Sequence, residues 1–438
     1  MKQNPSTNAL PGVQPSVSLA EFIGLRSTRI CEIQRDRDGW VITVEQPRPN
    51  LICPDCGRLP RIKERPVIRL IDRPAFDRPV VILWRKYRLA CSNAGCSVHS
   101  WTVHDPRIAS TRSSLTARCA RWVTREVGKG RSIAELAAEL RCGWSVVEEA
   151  MRIYGQALLD ADRRRVGVCE AIGLDETLFV RRGHKKIREY CTTIADVRSG
   201  KVIDVVKSRD FVDVAGWINK QSDDWKRAVR FGTLDMSSTY RAIFREMLGH
   251  VTRVADPYHV VQLANRALDE IRRRVQNETF GHRGRKNDPL YKIRKLLLSA
   301  KERLDEVATQ RLEAQMTLGD PDGEVALGYL AKERLRDFYK LTTDEARELF
   351  DTIISECSKR SMPSELQKLS RSLTNWREEI TNWHEARVSN GPTEALNNLI
   401  KRVKRAGFGF RNFENYRIRI LLYAGRPDWR ILNSIVVP

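Results

Sequence analysis

A chain of 438 residues that is 41% hydrophobic has room for two to four domains with apolar cores, which excludes an intrinsically disordered protein. Its 77 Lys and Arg against 55 Asp and Glu leave a net charge of +22, the balance of a protein that meets a polyanion, most often nucleic acid. No run of about 18 apolar residues exists to span a bilayer, and residues 1–24, polar with Pro5, Pro11 and Pro15, read as a disordered leader, not a signal peptide.

Residues 25–108 read as short strands and turns, with Val41–Val44 and Val80–Trp84 as strand candidates. Among them sit Cys53-Pro-Asp-Cys56-Gly and Cys91-Ser-Asn-Ala-Gly-Cys96. Zinc wants four soft or borderline ligands at tetrahedral corners, and two tight turns with two thiolates each supply them. The segment is expected to be a zinc ribbon domain with one structural Zn²⁺ on Cys53, Cys56, Cys91 and Cys96. Free buried thiols are the plainer alternative, and His99 or His104 could replace one ligand. No His-x-Glu precedes the first pair, which argues against a zinc deaminase.

Residues 109–165 read as a helix-turn-helix DNA-binding domain. Ser132-Ile-Ala-Glu135 is a capping box, and Ile133, Leu136, Ala137 and Leu140 then share a buried face. A turn through Gly143 leads to Ser145-Val-Val-Glu148, a second capping box and a second helix. An ordinary helical hairpin is the alternative. Glu148 and Glu149 are poor residues for a helix that reads a DNA groove.

The pattern then changes. Ala171–Asp175 is an apolar run ending in an acid, and Tyr190–Ala195 and Val202–Val206 flank Arg198-Ser-Gly200 as a hairpin. Phe231–Asp235 and Val251–Asp256 repeat the apolar run ending in an acid, with a helix from Ser237 to Leu248 between them. This order predicts a mixed sheet with helices packed on it. From Val260 to His384 the chain is long, charged and helical. Asn390-Gly-Pro392 starts a further helix, on which Glu394, Asn398 and Lys401 share a face. Lys401 to Arg419 holds seven basic residues and one acid, interleaved with Phe408, Phe410, Phe413 and Tyr416. Lys401, Arg402, Lys404, Arg405 and Arg411 are expected to track DNA phosphates, with the aromatics available to stack on unpaired bases or to serve as core.

Cutting and joining phosphodiesters needs a nucleophile oxygen, a leaving oxygen and charge relief at phosphorus. Two Mg²⁺ (or Mn²⁺) ions held by a few carboxylates meet all three needs. Asp175 and Asp235 end predicted strands, where sites of open α/β sheets gather, and Glu394 on a nearby helix would close the set. Lys401 would hold a phosphate by charge. Asp256 ends an apolar run too and competes for a place.

The matching stretches Gly-Leu-Asp175-Glu-Thr, Thr-Leu-Asp235-Met-Ser-Ser-Thr-Tyr, Ala-Asp256-Pro-Tyr-His259-Val and Ser-Asn-Gly-Pro-Thr-Glu394-Ala-Leu-Asn-Asn-Leu-Ile-Lys401 resemble the bacterial insertion-sequence transposases of the ISL3 group. So do the zinc pairs, the helix-turn-helix and the tail Gly407-Phe-Gly-Phe-Arg411-Asn-Phe-Glu-Asn-Tyr-Arg417. The resemblance implies a multidomain α+β protein with an RNase H-like catalytic core at 166–262 and 387–438, interrupted by an all-helical insertion at 263–386. It implies a DDE triad of Asp175, Asp235 and Glu394 for Mg²⁺, with Asp256 and His259 in support. The expected partners are terminal inverted repeats and target DNA, met by a homodimer in the bacterial cytoplasm. Cleavage at element ends would be followed by joining of the 3′-hydroxyls to target DNA. A DNA-binding regulator with an inactive core and a structure-specific nuclease on the same sheet are the rival readings.

Overall fold

The computed structural model describes residues 19–25, 28–47, 51–183 and 187–438. Most of the expected leader lies outside these residues; within them, Leu19–Phe22 form one helical turn, α1. The chain makes two compact units, residues 1–163 with 427–438, and residues 164–426.

The first unit holds strands β1 (Arg29–Arg35), β2 (Trp40–Glu45), β3 (Arg61–Glu64), β4 (Val67–Ala75), β5 (Arg78–Arg85), β6 (Arg88–Ala90) and β7 (Ser100–Thr102). They build two sheets, β1-β2-β5-β4 and β3-β6-β7. The two strands expected from their β-branched runs pair in parallel, Ile42 with Ile82 and Val44 with Trp84. Alternation turns these four residues inward, and Leu70 joins them in a buried core. Both cysteine pairs flank the smaller sheet, one before β3 and one between β6 and β7. Residues 25–108 are thus two small sheets, of which only the smaller is flanked by the two cysteine pairs.

Three helices follow, α2 (Ala117–Gly128), α3 (Ile133–Glu139) and α4 (Trp144–Ala161). The first capping box forms as expected. Ser132 Oγ accepts from the Glu135 amide at 3.1 Å, and the Glu135 carboxylate accepts from the Ser132 amide at 3.0 Å. The second box does not form. Gly143 already has the extended backbone of an N-cap, so α4 starts at Trp144 and Ser145 falls inside the first turn. Residues 427–438, expected with the catalytic core, belong to this first unit instead. The Arg121 guanidinium donates to Ile435 O at 3.1 Å, and the Thr111 amide donates to Pro438 O at 3.2 Å.

The second unit is built on β8 (Ala171–Arg182), β9 (Ile187–Asp196), β10 (Lys201–Val206), β11 (Phe231–Leu234) and β12 (Thr252–Ala255). The sheet order is β10-β9-β8-β11-β12. The first three strands are antiparallel and the last two run parallel to β8. Helices α5 (Phe211–Asn219), α6 (Asp223–Ala228) and α7 (Ser238–Met247) connect its strands. The helical block comprises α8 (Pro257–Phe280), α9 (Pro289–Lys292), α10 (Arg294–Leu298), α11 (Glu306–Gly319), α12 (Glu324–Phe338), α13 (Thr343–Ser358), α14 (Ser364–Asn375), α15 (Arg377–Thr381) and α16 (Trp383–Ala386). Then come α17 (Gly391–Ala406) and α18 (Phe413–Ala424).

One continuous apolar core runs from Ile172, Leu174 and Ile194 of the sheet through Leu268, Phe338 and Phe350 to Ile380. The boundary expected at residue 262 falls inside α8, so the helical block shares its core with the sheet and is not packed as a separate body.

Strand β8 positions the site. Asp175 was expected at a strand end, but β8 continues for seven residues past it, paired along β9. Alternate residues face opposite sides of the sheet. Ile172 and Leu174 enter the core, while Gly173, Asp175, Thr177 and Phe179 meet α17 and α18. Helix α18 is held to β10 by Arg417, whose guanidinium donates to both oxygens of Asp204 at 2.7 and 2.8 Å.

Candidate active site

The four residues of β11 are buried, and Asp235 follows them directly. Met236 takes a left-handed backbone, φ 64°, which turns the chain sharply into α7. β8 and β11 pair with Thr233 opposite Gly173, so two residues further on Asp235 stands beside Asp175. The pairing of Leu234 with Ala255 likewise brings Asp256 next to Asp235. Three apolar runs therefore deliver their acids to one edge of the sheet.

Glu394 reaches that edge on the first turn of α17, where the helix dipole favours a carboxylate. The start of α17 is seated on β8 at Gly173. A Cβ there would stand 2.3 Å from Thr393 Oγ1 and 2.8 Å from Asn390 Oδ1. Thr233 Oγ1 donates to Asn390 Oδ1 at 3.2 Å, and the Asn390 amide donates to Asp256 Oδ1 at 2.8 Å. The sheet thus fixes the helix start that carries the third acid.

These carboxylates crowd one another. Burial pushes the Asp175 carboxyl up to about 7, helped by the charges of Asp235 and, less strongly, Glu394. Burial also raises Asp235, and its Oδ1 is buried without a hydrogen-bond partner. Buried carboxylate oxygens beside one another are the hard donors a divalent cation such as Mg²⁺ or Mn²⁺ takes, although the ligand atoms that lie within 4.8 Å of one another at this edge are those of Asp256, His259 and Glu394, without Asp175 and Asp235.

Sequence reasoning missed Asn397. Its Nδ2 donates to Asp175 Oδ2 at 2.6 Å, and its Oδ1 accepts from Thr177 and Thr193 hydroxyls at 2.9 and 3.1 Å. It lies three residues past Glu394 and is buried, whereas Asn398, which shares the outer face with Lys401, is exposed. Asn397 positions Asp175 through three hydrogen bonds. Asn397→Asp keeps the shape but sets a second carboxylate against Asp175. We expect the divalent-metal concentration needed for half-maximal activity to rise about 10- to 100-fold, the usual cost of losing an outer-shell partner. An unchanged metal titration would refute the role.

Asp256 is more enclosed than its two rivals. It caps α8, accepting from the Tyr258 and His259 amides at 3.1 and 3.4 Å and from His259 Nδ1 at 3.2 Å. That hydrogen bond raises the His259 imidazole above its usual range. Ligand atoms of Asp256, His259 and Glu394 lie within 4.8 Å of one another, so His259 stands at the same mouth as the third acid.

The basic stretch from Lys401 divides in two. Lys401, Arg402, Arg405 and Arg411 are exposed. Lys404 was expected among the phosphate contacts, but its Nζ donates to Leu178 O at 2.8 Å and burial lowers its pKa. Arg419 is buried over the Phe410 ring, 4.9 Å from its centroid. Phe410 and Tyr416 are core, and Phe413 packs on Phe179 at 5.5 Å.

In the first unit, Cys53, Cys56, Cys91 and Cys96 bring their sulfurs within 4.8 Å of one another. Cys53 and Cys96 are 3.7 Å apart, and Cys56 and Cys91 3.4 Å. A tetrahedral zinc with bonds of ~2.3 Å sets its sulfurs ~3.8 Å apart, so the cluster fits zinc and is too open for disulfides. The Arg58 amide draws the Cys56 thiol down to about 7, while the hydrogen bond to Asp55 and burial push the Cys96 thiol up. His104 packs near Trp84 with its Nδ1 3.3 Å from Lys86 Nζ. Metal analysis of Cys53→Ser should show loss of roughly one zinc per chain; full retention would point to other ligands.

Residues 172–420 match the family model of ISL3-type DDE transposases, described as a transposase, which covers more than half of the chain. The chain belongs to the ISL3 family of insertion-sequence transposases. This ISL3 member is 24% identical over 336 residues to a Mycobacterium tuberculosis protein described as the transposase for insertion sequence element IS1557, covering 70% of this chain and 74% of that one. It is 21% identical over 385 residues to the Bordetella parapertussis transposase for IS1001, covering 84% and 88%. A stretch of 64 residues is 39% identical to a Lactococcus lactis protein described as an ATP-dependent protease, but covers only 15% of this chain. No helix among the described residues is long and apolar enough to cross a membrane.

Proposed function

We propose that this ISL3 transposase binds the terminal inverted repeats of its element, cuts DNA at the element ends, and joins the freed 3′-hydroxyls to target DNA. The observation that carries this reading is the convergence of Asp175, Asp235 and Glu394 on one edge of the sheet, with a buried Asp235 oxygen left without a partner. The sheet supports an RNase H-like core. Three antiparallel strands are followed by two parallel ones, in spatial order third, second, first, fourth, fifth.

Asp175, Asp235 and Glu394 would hold two divalent ions. Such ions, when bound, supply a nucleophilic oxygen at neutral pH and relieve charge at phosphorus. The chain's own residues do the positioning. Asn397 orients Asp175, Asp256 ties the start of α17 to the sheet, and His259 stands beside Glu394, where it would meet a bound phosphate. Hydrolysis forms a bond from water oxygen to phosphorus and breaks the bond to the 3′-oxygen, leaving a 3′-hydroxyl. That hydroxyl then attacks a target phosphodiester and displaces its 3′-oxygen.

End recognition falls to the first unit. Helices α3 and α4, joined by a short turn through Gly143, support a helix-turn-helix, and a structural Zn²⁺ would hold the cysteine-bearing sheet. Trp144 is half exposed at the start of α4, where such helices contact bases. Pairing two ends calls for a dimer on the DNA.

The test is an incubation of the purified chain with a plasmid carrying its coding segment and the DNA on either side. Cutting at discrete sites that needs Mg²⁺ or Mn²⁺ supports the reading. Binding without cutting points to a regulator, and cutting of branched DNA without joining points to a nuclease.

A further inference from the structure

Four aromatics punctuate the stretch from Lys401, and only one has no place in the core. Phe410 and Tyr416 are buried and Phe413 packs on Phe179. Phe408 is 94% exposed. Its backbone is left-handed, with φ of 51°. The Gly409 amide donates to Lys404 O and the Phe408 amide to Arg405 O, both at 3.0 Å, which closes α17 with a Schellman motif. Phe408 holds the left-handed position of that motif. Glycine usually takes this place, because a Cβ there meets the following carbonyl. Here the glycines flank it, as Gly407 and Gly409, and a bulky ring stands in the position least suited to one. Neither core packing nor helix capping calls for a phenyl group at this site.

The surroundings say what the ring meets. Phe408 lines an open cavity of about 700 Å³ with Asn398, Lys401, Lys404, Arg405 and Gly409. Lys401 and Arg405 are exposed cations on the same helix as Glu394, so the cavity attracts phosphate. A solvent-exposed ring beside phosphate-binding cations is the pairing by which proteins hold unpaired bases. We infer that Phe408 stacks on an unpaired nucleobase of the DNA strand whose phosphates run past Lys401 and Arg405, and so holds that strand open at the end of α17 opposite Glu394, about 20 Å away along the helix. This rests on the proposed function and adds the unpaired base as the ligand.

The test compares two fluorescent DNAs bound by the full chain: a fork with unpaired arms carrying 2-aminopurine, and a blunt duplex of the same paired sequence. The wild type should prefer the fork and quench its 2-aminopurine. Phe408→Ala should bind the fork about tenfold more weakly, the effect of one lost base–aromatic stack. It should bind the blunt duplex as the wild type does, and Phe408→Trp should restore the fork preference. Phe408→Gly should keep or raise the Tm, since the ring makes no core contact.

Equal fork binding by wild type and Phe408→Ala, or a Tm loss in Phe408→Gly, overturns the inference and leaves the transposase reading intact. Weaker self-association of Phe408→Ala with unchanged fork binding would assign the ring to a second copy and overturn it too. Failure of the wild type to bind either DNA removes the function reading, and this inference with it.

Discussion

Asp235→Asn should lower metal-dependent DNA cutting by about 10³-fold or more, ~4 kcal/mol of barrier, without weakening the fold. The two halves of this result come from the same atom. Asp235 Oδ1 is buried and has no hydrogen-bond partner, and the cost of burying its charge outweighs what His259 and the backbone amides of Asp235 and Ser237 return. An amide is neutral and costs less to bury. The metal-free variant should therefore melt at or above the wild-type temperature, gaining about 1 kcal/mol. An acid that merely capped a helix would behave in the opposite way and lose stability on neutralisation. Asp256 is that contrasting case, with amides of Tyr258, His259 and Asn390 on its oxygens. Asp235→Asn with full cutting activity, assayed on plasmid DNA with Mg²⁺, would remove Asp235 from the site. A large drop in melting temperature would recast it as structural.

Gly173→Ala should be nearly as damaging to cutting, although glycine has no chemistry to lose. The added methyl meets Thr393 Oγ1 at 2.3 Å and Asn390 Oδ1 and Val197 Cγ1 at 2.8 Å. These are short side chains packed between sheet and helix, and they cannot swing away. The first turn of α17 has to lift, and Glu394 lifts with it. A misplacement of ~1 Å at a reacting centre costs about 10²-fold in rate, while overpacking of this kind destabilises by about 1–3 kcal/mol. Cutting should fall about 100-fold with the wild-type dependence on DNA concentration retained. If Gly173→Ala cuts normally, the seat of α17 on β8 does not set the geometry of Glu394.

Much of this arrangement can be read from local pattern. Runs of β-branched residues on either side of Arg198-Ser-Gly200 mark the hairpin of β9 and β10, and Phe231–Leu234 followed by an acid marks β11. The motif around Glu394 marks a helix start, because Pro392 and a first-turn acid are local signals. What is not local is lost. Asp175 looks like the end of a strand because Glu176 interrupts the apolar run; only pairing with β9 shows that the strand continues to Arg182. Asn397 and Asn398 are adjacent and chemically identical. Which of them turns inward depends on how α17 sits on Gly173, a contact across more than 200 residues. The same holds for the four aromatics, which only burial tells apart. Ser145 shows a local signal failing, since Gly143 provides the N-cap first.

The separation between Asp235 and Glu394 also governs when activity can arise during synthesis. A ribosome delivers β8 and β11 long before α17, and ten α-helices, α7 to α16, must be made and packed in between. Contacts between residues so far apart in sequence form late in folding. On the proposed reading, a nascent or prematurely terminated chain that stops short of residue 394 would carry two of the three acids and no complete cutting centre. Nuclease competence would then report a nearly finished chain, since DNA would meet the proposed centre only after the helical block has folded.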